Sequence, residues 1–397
     1  MMSAGVWREA TLRRALLILA PAMTIVVAAE FIVVGLLPAV SQDLHITLAQ
    51  AGQLSGAWAF AAAVIGPVLT LATSRIAPKP MLIGILLVFA IGNALMAVLT
   101  DFGWLLIARV VQGALLPAFI SVGAAVVTRL AKPGEQGKGL TRANIGFVLG
   151  ILITLPAGVA IAQGGDWRVP FIVLAVLSLL MAMLIAGFFP VISNDQTPKI
   201  TTQLRLLQRT DFLANLALSV VFFATMFAAY VYLGAWVKDG LGLSVWSVAL
   251  VLLLFGISGL IGNSVAGRIA DRGSLRTPVI AALVLAVSVN LAVLLQHCIL
   301  LAMLPLAIWA ILHTLSVTLS QVRVTLAGKV APAFAMTLNI SAANLGIGIG
   351  TIGGGWMIDR HGIAALGIAP LGFSILAIPF AYLVIRLKLS SRVKVPV

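Results

Sequence analysis

Charge is scarce in this chain. Only 9% of its 397 residues are Asp, Glu, Lys or Arg, while 61% are hydrophobic. A water-soluble protein needs a charged surface around its core, so this balance excludes one and leaves an integral membrane protein. A single cysteine, Cys298, excludes an intramolecular disulfide framework and reads as an incidental small apolar residue at a turn. The four histidines, His45, His297, His313 and His361, are scattered without metal-ligand spacing, so no metal site is expected. Gly137-Lys138 and Gly328-Lys329 lack the following Ser/Thr and the upstream glycine of a phosphate loop. With no nucleophile elbow and no paired carboxylates, neither an enzyme nor a bound cofactor is expected, and ATP is not indicated as the energy source.

Long apolar runs are there in abundance. Stretches of about 20 residues, enough to cross roughly 30 Å of hydrocarbon, recur along the whole chain. Twelve spans are expected, near 15–38, 50–73, 80–100, 103–128, 139–163, 168–191, 212–237, 245–267, 277–296, 299–322, 333–357 and 363–386. The joints are too short for a soluble catalytic domain. The first run is a full span with no small-residue cleavage site after it, so a cleavable signal peptide is not expected.

The net charge of +14 is distributed by side. If alternate connections lie on opposite faces, the face with both termini carries 20 of the 25 Lys and Arg residues. The other face carries only Arg168, Lys238 and Arg360, and Arg109 and Arg142 fall within spans. This is a positive-inside pattern, so both termini are expected in the cytoplasm, with the basic balance reflecting orientation and anionic lipid. No aromatic-basic cluster supports nucleic-acid binding. The segment from Lys199 to Arg209 reads as a basic surface helix on the inner leaflet.

The chain also repeats. Gly146, Gly150, Thr154 and Gly158 line one helix face at intervals of four, and Ala342, Gly346, Gly350 and Gly354 do the same. The last three of each set are offset by 196 residues. The connection TSRIAPK (73–79) corresponds to ADRGSLR (270–276) at nearly the same offset. Two six-helix halves are therefore expected, 1–192 and 212–397, joined by a cytoplasmic linker at 193–211. Six is even, so both halves enter the membrane from one side as parallel repeats, with a substrate site between them. The small-residue faces have two readings. One is close helix packing. The other adds Pro156 and the triple Gly353-Gly354-Gly355, which weaken the two helices and let them bend as the halves rock.

These residues carry a family resemblance that covers nearly the whole chain. Gly267-x-x-x-Asp271-Arg272-x-x-x-Arg276 resembles the cytoplasmic loop signature of the major facilitator superfamily. Arg109-Val-Val-Gln112-Gly113 resembles its span-4 motif, and Gly150 to Gly158 followed by Asp166-Trp167-Arg168 resembles its span-5 antiporter region. Glu30-Phe31 with Gly35-Leu-Leu-Pro38, and Asn344-Leu-Gly346, are similar to the drug:proton antiporter branch, and within it to sugar-efflux and purine-nucleoside-efflux permeases. The resemblance implies an all-α fold of twelve transmembrane helices in two parallel six-helix repeats. It also implies proton-coupled efflux of a small solute from a bacterial cytoplasmic membrane, with a monomer as the working unit. The first-half copy of the loop signature, Thr70 to Lys79, departs from the pattern: Ser74 stands where the family has Asp, and Ala77 where it has Gly. In the family that acid helps latch the cytoplasmic face, so the latch here is weaker or falls to Asp271. Arg75, Lys79, Gly267, Asp271 and Arg272, with Gly150, Pro156 and Gly158, are the gating candidates. Arg75, Lys79, Arg268 and Arg272 are equally accounted for as simple cytoplasmic charge.

Glu30 is the leading functional candidate. The other ten acids fall in connections, tails or span edges, whereas Glu30 interrupts the run AAEFIVVGLLP. A charge at that depth costs several kcal/mol, so a sequence that keeps one tends to use it. Counted from Pro38, Glu30 lies about 12 Å below the outer surface at 1.5 Å per residue, and Arg109 lies about 9 Å down from the start of span 4. Burial favours a carboxylate's neutral form and a nearby guanidinium its charged form, so a movement that alters either can load or release a proton. Glu30 is thus a candidate proton carrier, with Arg109 tuning or contacting it; a static ion pair, or Arg109 bound to carbonyls, is the structural alternative. The proton gradient would then be the energy source, and protons, lipid and a small solute the partners. A passive facilitator or an uptake symporter is the alternative function.

Candidates for the substrate cavity are Trp58, Gln112, Asn144, Tyr230 and Asn344, with Asn93, Asn263, Asn290 and His313 as further polar residues at bilayer depth. Each of the polar ones also reads as glue between helices. Tyr232 and Trp236 can stack on a solute, and Trp236 equally fits an interfacial anchor.

Overall fold

The computed structural model describes residues 4–73, 75–132, 136–162, 166–192, 206–269, 275–328 and 332–393. Twelve long helices fill these residues, with no strand among them. They are α1 (Ala4–Asp43), α2 (Leu48–Ala72), α3 (Pro78–Val98), α4 (Phe102–Leu130), α5 (Gln136–Ile161) and α6 (Val169–Phe188). The second half comprises α7 (Thr210–Tyr230), α8 (Val245–Ile269), α9 (Arg276–Leu294), α10 (Ile299–Ala327), α11 (Pro332–His361) and α12 (Ile368–Val393). Eleven of the twelve are long and apolar enough to cross a membrane; the described apolar part of α5, Leu149–Ile161, is shorter. Large hydrophobic side chains such as Ile91, Val176, Leu300 and Tyr382 stand exposed around the bundle, a surface stable in lipid and not in water. The protein is a multi-pass membrane protein.

Local chemistry sets where helices begin. Thr47 Oγ1 accepts from the Gln50 amide at 3.1 Å while Gln50 Oε1 accepts from the Thr47 amide at 2.8 Å, a reciprocal cap that starts α2. Asp101 Oδ1 accepts from the Trp104 amide at 3.1 Å and starts α4. Pro78 begins α3, where its missing N–H costs nothing. Gly362, at φ 78°, turns the chain out of α11 into α12.

Several boundaries differ from the expected spans. α1 does not stop at Pro38; Pro21 and Pro38 both lie inside a 40-residue helix that ends at Asp43. α7 starts at Thr210, so the described end of the linker is Arg209, whose guanidinium forks onto Asp211 at 3.1 and 2.6 Å. After Tyr230 the helix breaks at Val231–Tyr232, resumes over Leu233–Ala235 and widens into a π-turn over Trp236–Gly240. The expected surface helix at Lys199 to Arg209 lies mostly outside the described residues.

The 196-residue offset reappears in the packing. On α5, a Cβ at Gly150 would meet Thr24 O and Val27 of α1; on α11, one at Gly346 would meet Val220 O and Phe223 of α7. Gly158 faces Ile32 and Gly354 faces Ala228, again 196 residues on. Each small-residue stripe therefore brings its helix against the first helix of its own half. Both helices run unbroken, α5 through Pro156 to Ile161 and α11 through its three glycines to His361. Both stripes are close-packing faces.

The halves meet through α2 with α11, α5 with α8, and α1 with the segment after α7. The named contacts between them lie toward the end of the bundle away from the chain termini. Thr47 Oγ1 donates to Asp359 Oδ2 at 3.1 Å, and Tyr232 is wedged between Gly52 and Gly355. Gly56 touches Thr351 and Gly348 packs on Phe60. The bundle is closed at that end.

Candidate functional site

Arg109 is fully buried on α4 and makes three hydrogen bonds, all to main chain. Its Nε donates to Leu54 O at 3.2 Å, Nη1 to Ala29 O at 2.6 Å and Nη2 to Glu30 O at 2.9 Å. Helix carbonyls keep a second lone pair after their own helical bond, so a planar fork can take them without breaking the helix. The guanidinium also lies 4.2 Å over the Trp58 ring, which packs edge-on to Phe89. One cation thereby ties α1, α2 and α4 together.

The carboxylate of Glu30 does something different. Among the described residues it makes no hydrogen bond and no ion pair, although Arg109 bonds the same residue's carbonyl. Glu30 is 8% exposed, and its oxygens are absent from the set of sealed, unpartnered polar atoms. Thirteen residues separate Glu30 from the end of α1 and seven separate Arg109 from the start of α4, which is about 20 and 10 Å of rise. The two still meet, because α1 runs on past α4; there Asp43 accepts from Arg168 at 2.7 Å and from Trp167 Nε1 at 3.1 Å.

Next to Glu30, Phe31 crosses to the second half. Its ring centroid lies 6.1 Å from Phe227 and 6.5 Å from Tyr230 on α7. Tyr230 in turn lies 4.6 Å from the His313 ring of α10 and 5.5 Å from Phe255 of α8. Of the expected cavity residues, Trp58, Tyr230 and Asn344 are buried. Asn344 Nδ2 bonds Ile340 O and its Oδ1 is unpartnered. The Asn144 side chain lies outside the described residues.

Other candidates are placed elsewhere. Gln112 turns to α3, donating to Phe89 O at 3.3 Å and Asn93 Oδ1 at 3.2 Å, so it fastens α3 to α4. Asn263 accepts from Thr318 on an exposed face, and Asn290 bonds Ala286 O and Gly367 O. Trp236 is no interfacial anchor: it is fully buried, with Nε1 donating to Gln296 at 3.1 Å. Tyr232 is equally buried, its hydroxyl donating to Thr351 O at 2.9 Å, so neither offers a free ring to a solute. Arg75 is exposed, Lys79 is half-buried in the first turn of α3, and Gly267 lies in the last turn of α8. Asp271 and Arg272 lie outside the described residues. No group of three or more His, Cys, Asp or Glu is arranged to hold a metal among the described residues.

Sequence reading missed Phe31, Phe227 and Phe255 as one cluster. Phe223, Phe227 and Tyr230, at i, i+4 and i+7, were its available signal on α7.

The architecture and these motifs have relatives. Residues 19–332 match the family described as Major Facilitator Superfamily. The chain belongs to that superfamily. The inner membrane transport protein YdhP of Escherichia coli O157:H7 is 27% identical over 333 residues, covering 83% of this chain and 85% of that one. The uncharacterized MFS-type transporter YtbD of Bacillus subtilis (strain 168) is 26% identical over 88% of this chain and 89% of its own. Among solved structures, a bacterial homologue of the human lysosomal transporter Spinster, in an inward-facing and unoccupied conformation, superposes with a TM-score of 0.75 at 16% identity. That match covers 98% of this chain and 99% of the homologue. A D-xylose-proton symporter follows at TM-score 0.72 and 16% identity, covering 93% and 98%. At such identity the structures share the fold. As a superfamily member the protein is a transporter and not an enzyme.

Proposed function

We propose that this superfamily member is a secondary active transporter that exports a small solute such as a sugar, nucleoside or drug across the bacterial cytoplasmic membrane in exchange for protons. Both termini are in the cytoplasm, so the bundle, closed at the opposite end, is in an inward-facing arrangement. The halves 1–192 and 212–397 rock about the α1–α7 contact, and Glu30 carries the proton.

The observation that carries this reading is the Glu30 carboxylate itself. It is the sole acid well inside a span, its carboxylate has no hydrogen-bonded or ion-paired partner among the described residues, and it lies beside the place where the halves meet. An acid locked in a salt bridge holds one protonation state. An acid without one responds to each change in water access and in distance from Arg109. The opposite charge is held by backbone carbonyls, so the carboxylate is left free to cycle. Substrate and proton then compete for one occupied state, which is the requirement for exchange.

Everted membrane vesicles, acidified inside by respiration and loaded with a pH-sensitive acridine dye, test the reading with a panel of sugars, nucleosides and drugs. A transported solute should collapse the gradient in wild type, and Glu30→Gln should leave it intact while the protein inserts normally. A facilitator would move solute with no dye response, and an uptake symporter would not discharge the gradient on addition of solute outside. Full dye response in Glu30→Gln sinks the carrier role.

A further inference from the structure

The second half holds a set of polar atoms that no described residue bonds. On α10, Trp309 Nε1, His313 Nδ1 and Ser316 Oγ are all buried and without a hydrogen-bond partner. The three residues are 0%, 7% and 0% exposed. They fall at i, i+4 and i+7, one face of the helix. Ser320, a further turn along, shows what a structural use looks like: its hydroxyl meets Ser219 at 2.8 Å, and Ser219 donates to Asn339 at 2.7 Å. That lower cluster is satisfied internally and the upper three residues are not.

The unused atoms are walled by rings. His313 lies 4.6 Å from Tyr230, 5.2 Å from Phe227 and 6.0 Å from Phe255, and Trp309 stands edge-on to Phe255 at 5.4 Å. Phe31 closes the cluster from the first half, one residue from Glu30. Tyr230, 4% exposed, makes no side-chain hydrogen bond among the described residues. The rings thus lie beside the proton-carrying candidate, where the two halves meet. A buried polar group without a partner is destabilising, and three in succession on a helix face call for a partner that the described residues do not supply.

We infer that this aromatic box on α7, α8 and α10 is a solute subsite, and that it takes a neutral, flat heteroaromatic solute whose edge hydrogen-bonds His313 and Ser316. The inference rests on the transporter reading above and names its substrate class. The chemistry chooses among the candidates. Ring faces pack a planar solute at offset-stacking distances, and Trp N–H, Ser O–H and imidazole nitrogen match the mixed donor and acceptor edge of a heterocycle. A sugar carries hydroxyls all round and would leave most of them against phenyl carbons. A cation would be held by the ring faces alone and would leave the Trp309 N–H, a donor, without an acceptor.

Binding is measured on purified protein in lipid nanodiscs, with no gradient, by saturation-transfer NMR, with empty nanodiscs as the control for partition. Inosine, uridine and quinoline serve as heteroaromatic probes, against D-xylose, lactose and the cation tetraphenylphosphonium. Saturation of heteroaromatic protons is expected at protein-dependent, competable levels, with at least a tenfold weaker affinity in His313→Phe and in Ser316→Ala. Both variants should keep the wild-type elution profile and melting temperature. The two α10 variants are read for binding and Glu30→Gln for discharge of the gradient, so loss of the subsite and loss of coupling are read separately. Preferential binding of a sugar or of the cation overturns the inference. So does the absence of binding by every heteroaromatic probe, or wild-type affinity in both α10 variants, which would leave His313 and Ser316 as partners of trapped water only.

Discussion

Arg109 grips Glu30 by its backbone carbonyl at 2.9 Å and leaves its carboxylate alone. Two opposite charges in the same apolar interior would ordinarily be expected to neutralise each other. Here the cation is satisfied by three carbonyls and an indole face, so its position does not depend on the state of the acid. A fixed cation beside a free acid is a constant field, and only the acid's surroundings vary as the halves move.

Arg109→Lys should therefore damage the scaffold before it damages the chemistry. An ammonium keeps the charge but cannot reach Leu54 O, Ala29 O and Glu30 O at once from a single fork. The expected cost is about 2 kcal/mol, on the order of two lost charge-assisted bonds in a membrane protein. It should appear as a lower melting temperature in detergent, with α1, α2 and α4 the first to lose protection in hydrogen exchange. Unchanged stability would mean that these carbonyl bonds contribute little.

Trp58→Phe removes the best cation-binding face beneath that guanidinium while keeping an aromatic against Phe89. A loss of about 1 kcal/mol is expected for a desolvated pair of this kind. Measured in an Arg109→Gln background, most of that loss should vanish, because that change takes the cation off the Trp58 face. Additive losses in the double variant would show that Trp58 acts through packing alone.

Much of this was legible in the sequence, for identifiable reasons. Apolar runs long enough to span, interrupted by turn residues, gave away the helices, and the glycines at intervals of four exposed the repeat, because backbone contact tolerates no side chain at those positions. Glu30 stood out because nothing else acidic shared its depth. The length of α1 was not legible: Pro38 reads as a stop, yet a proline inside a long helix is tolerated when neighbouring helices support the backbone. Nor could spacing show that Tyr232 and Trp236 turn inward, since that depends on the break after Tyr230 and on Gly52, Gly355 and Gln296 from three other elements. The polarity of Gln112 was plain, but its direction, toward α3, is set by Gly92 and Asn93 on a neighbouring helix.

The glycine stripes yield a stability test with an internal control. A methyl at Gly354 would lie 1.9 Å from Ala228 O, whereas one at Gly84 meets nothing within 4 Å. Gly354→Ala must push α11 off α7 and should cost about 1–3 kcal/mol, the usual range for forced overpacking. Gly84→Ala, in the exposed interior of α3, should be neutral or stabilising by up to about 1 kcal/mol. Equal melting temperatures for the two variants would contradict the close approach.

The closed end of the bundle should respond to the Tyr232 wedge. Its hydroxyl reaches Thr351 O at 2.9 Å between two glycines, and a Cβ on Gly52 or Gly355 would lie 2.3 or 2.4 Å from that oxygen. Gly52 belongs to the first half and Gly355 to the second, so the ring fits only while the halves are drawn together here. Gly52→Ala leaves no room for the hydroxyl in the closed state but does not touch the state in which α2 and α11 have separated. The population should shift toward opening at this end, by roughly tenfold for about 1.4 kcal/mol of differential strain. Distances between spin labels placed near Thr47 and Asp359 report the shift directly, as a new long-distance peak in Gly52→Ala. Tyr232→Leu, which removes the hydroxyl at 2.3 Å together with the ring carbons Cζ and Cε1 at 2.8 and 2.9 Å, should return Gly52→Ala most of the way to the closed distribution. Failure of that rescue would show that Gly52 is needed for helix contact alone and that the tyrosine is not the wedge.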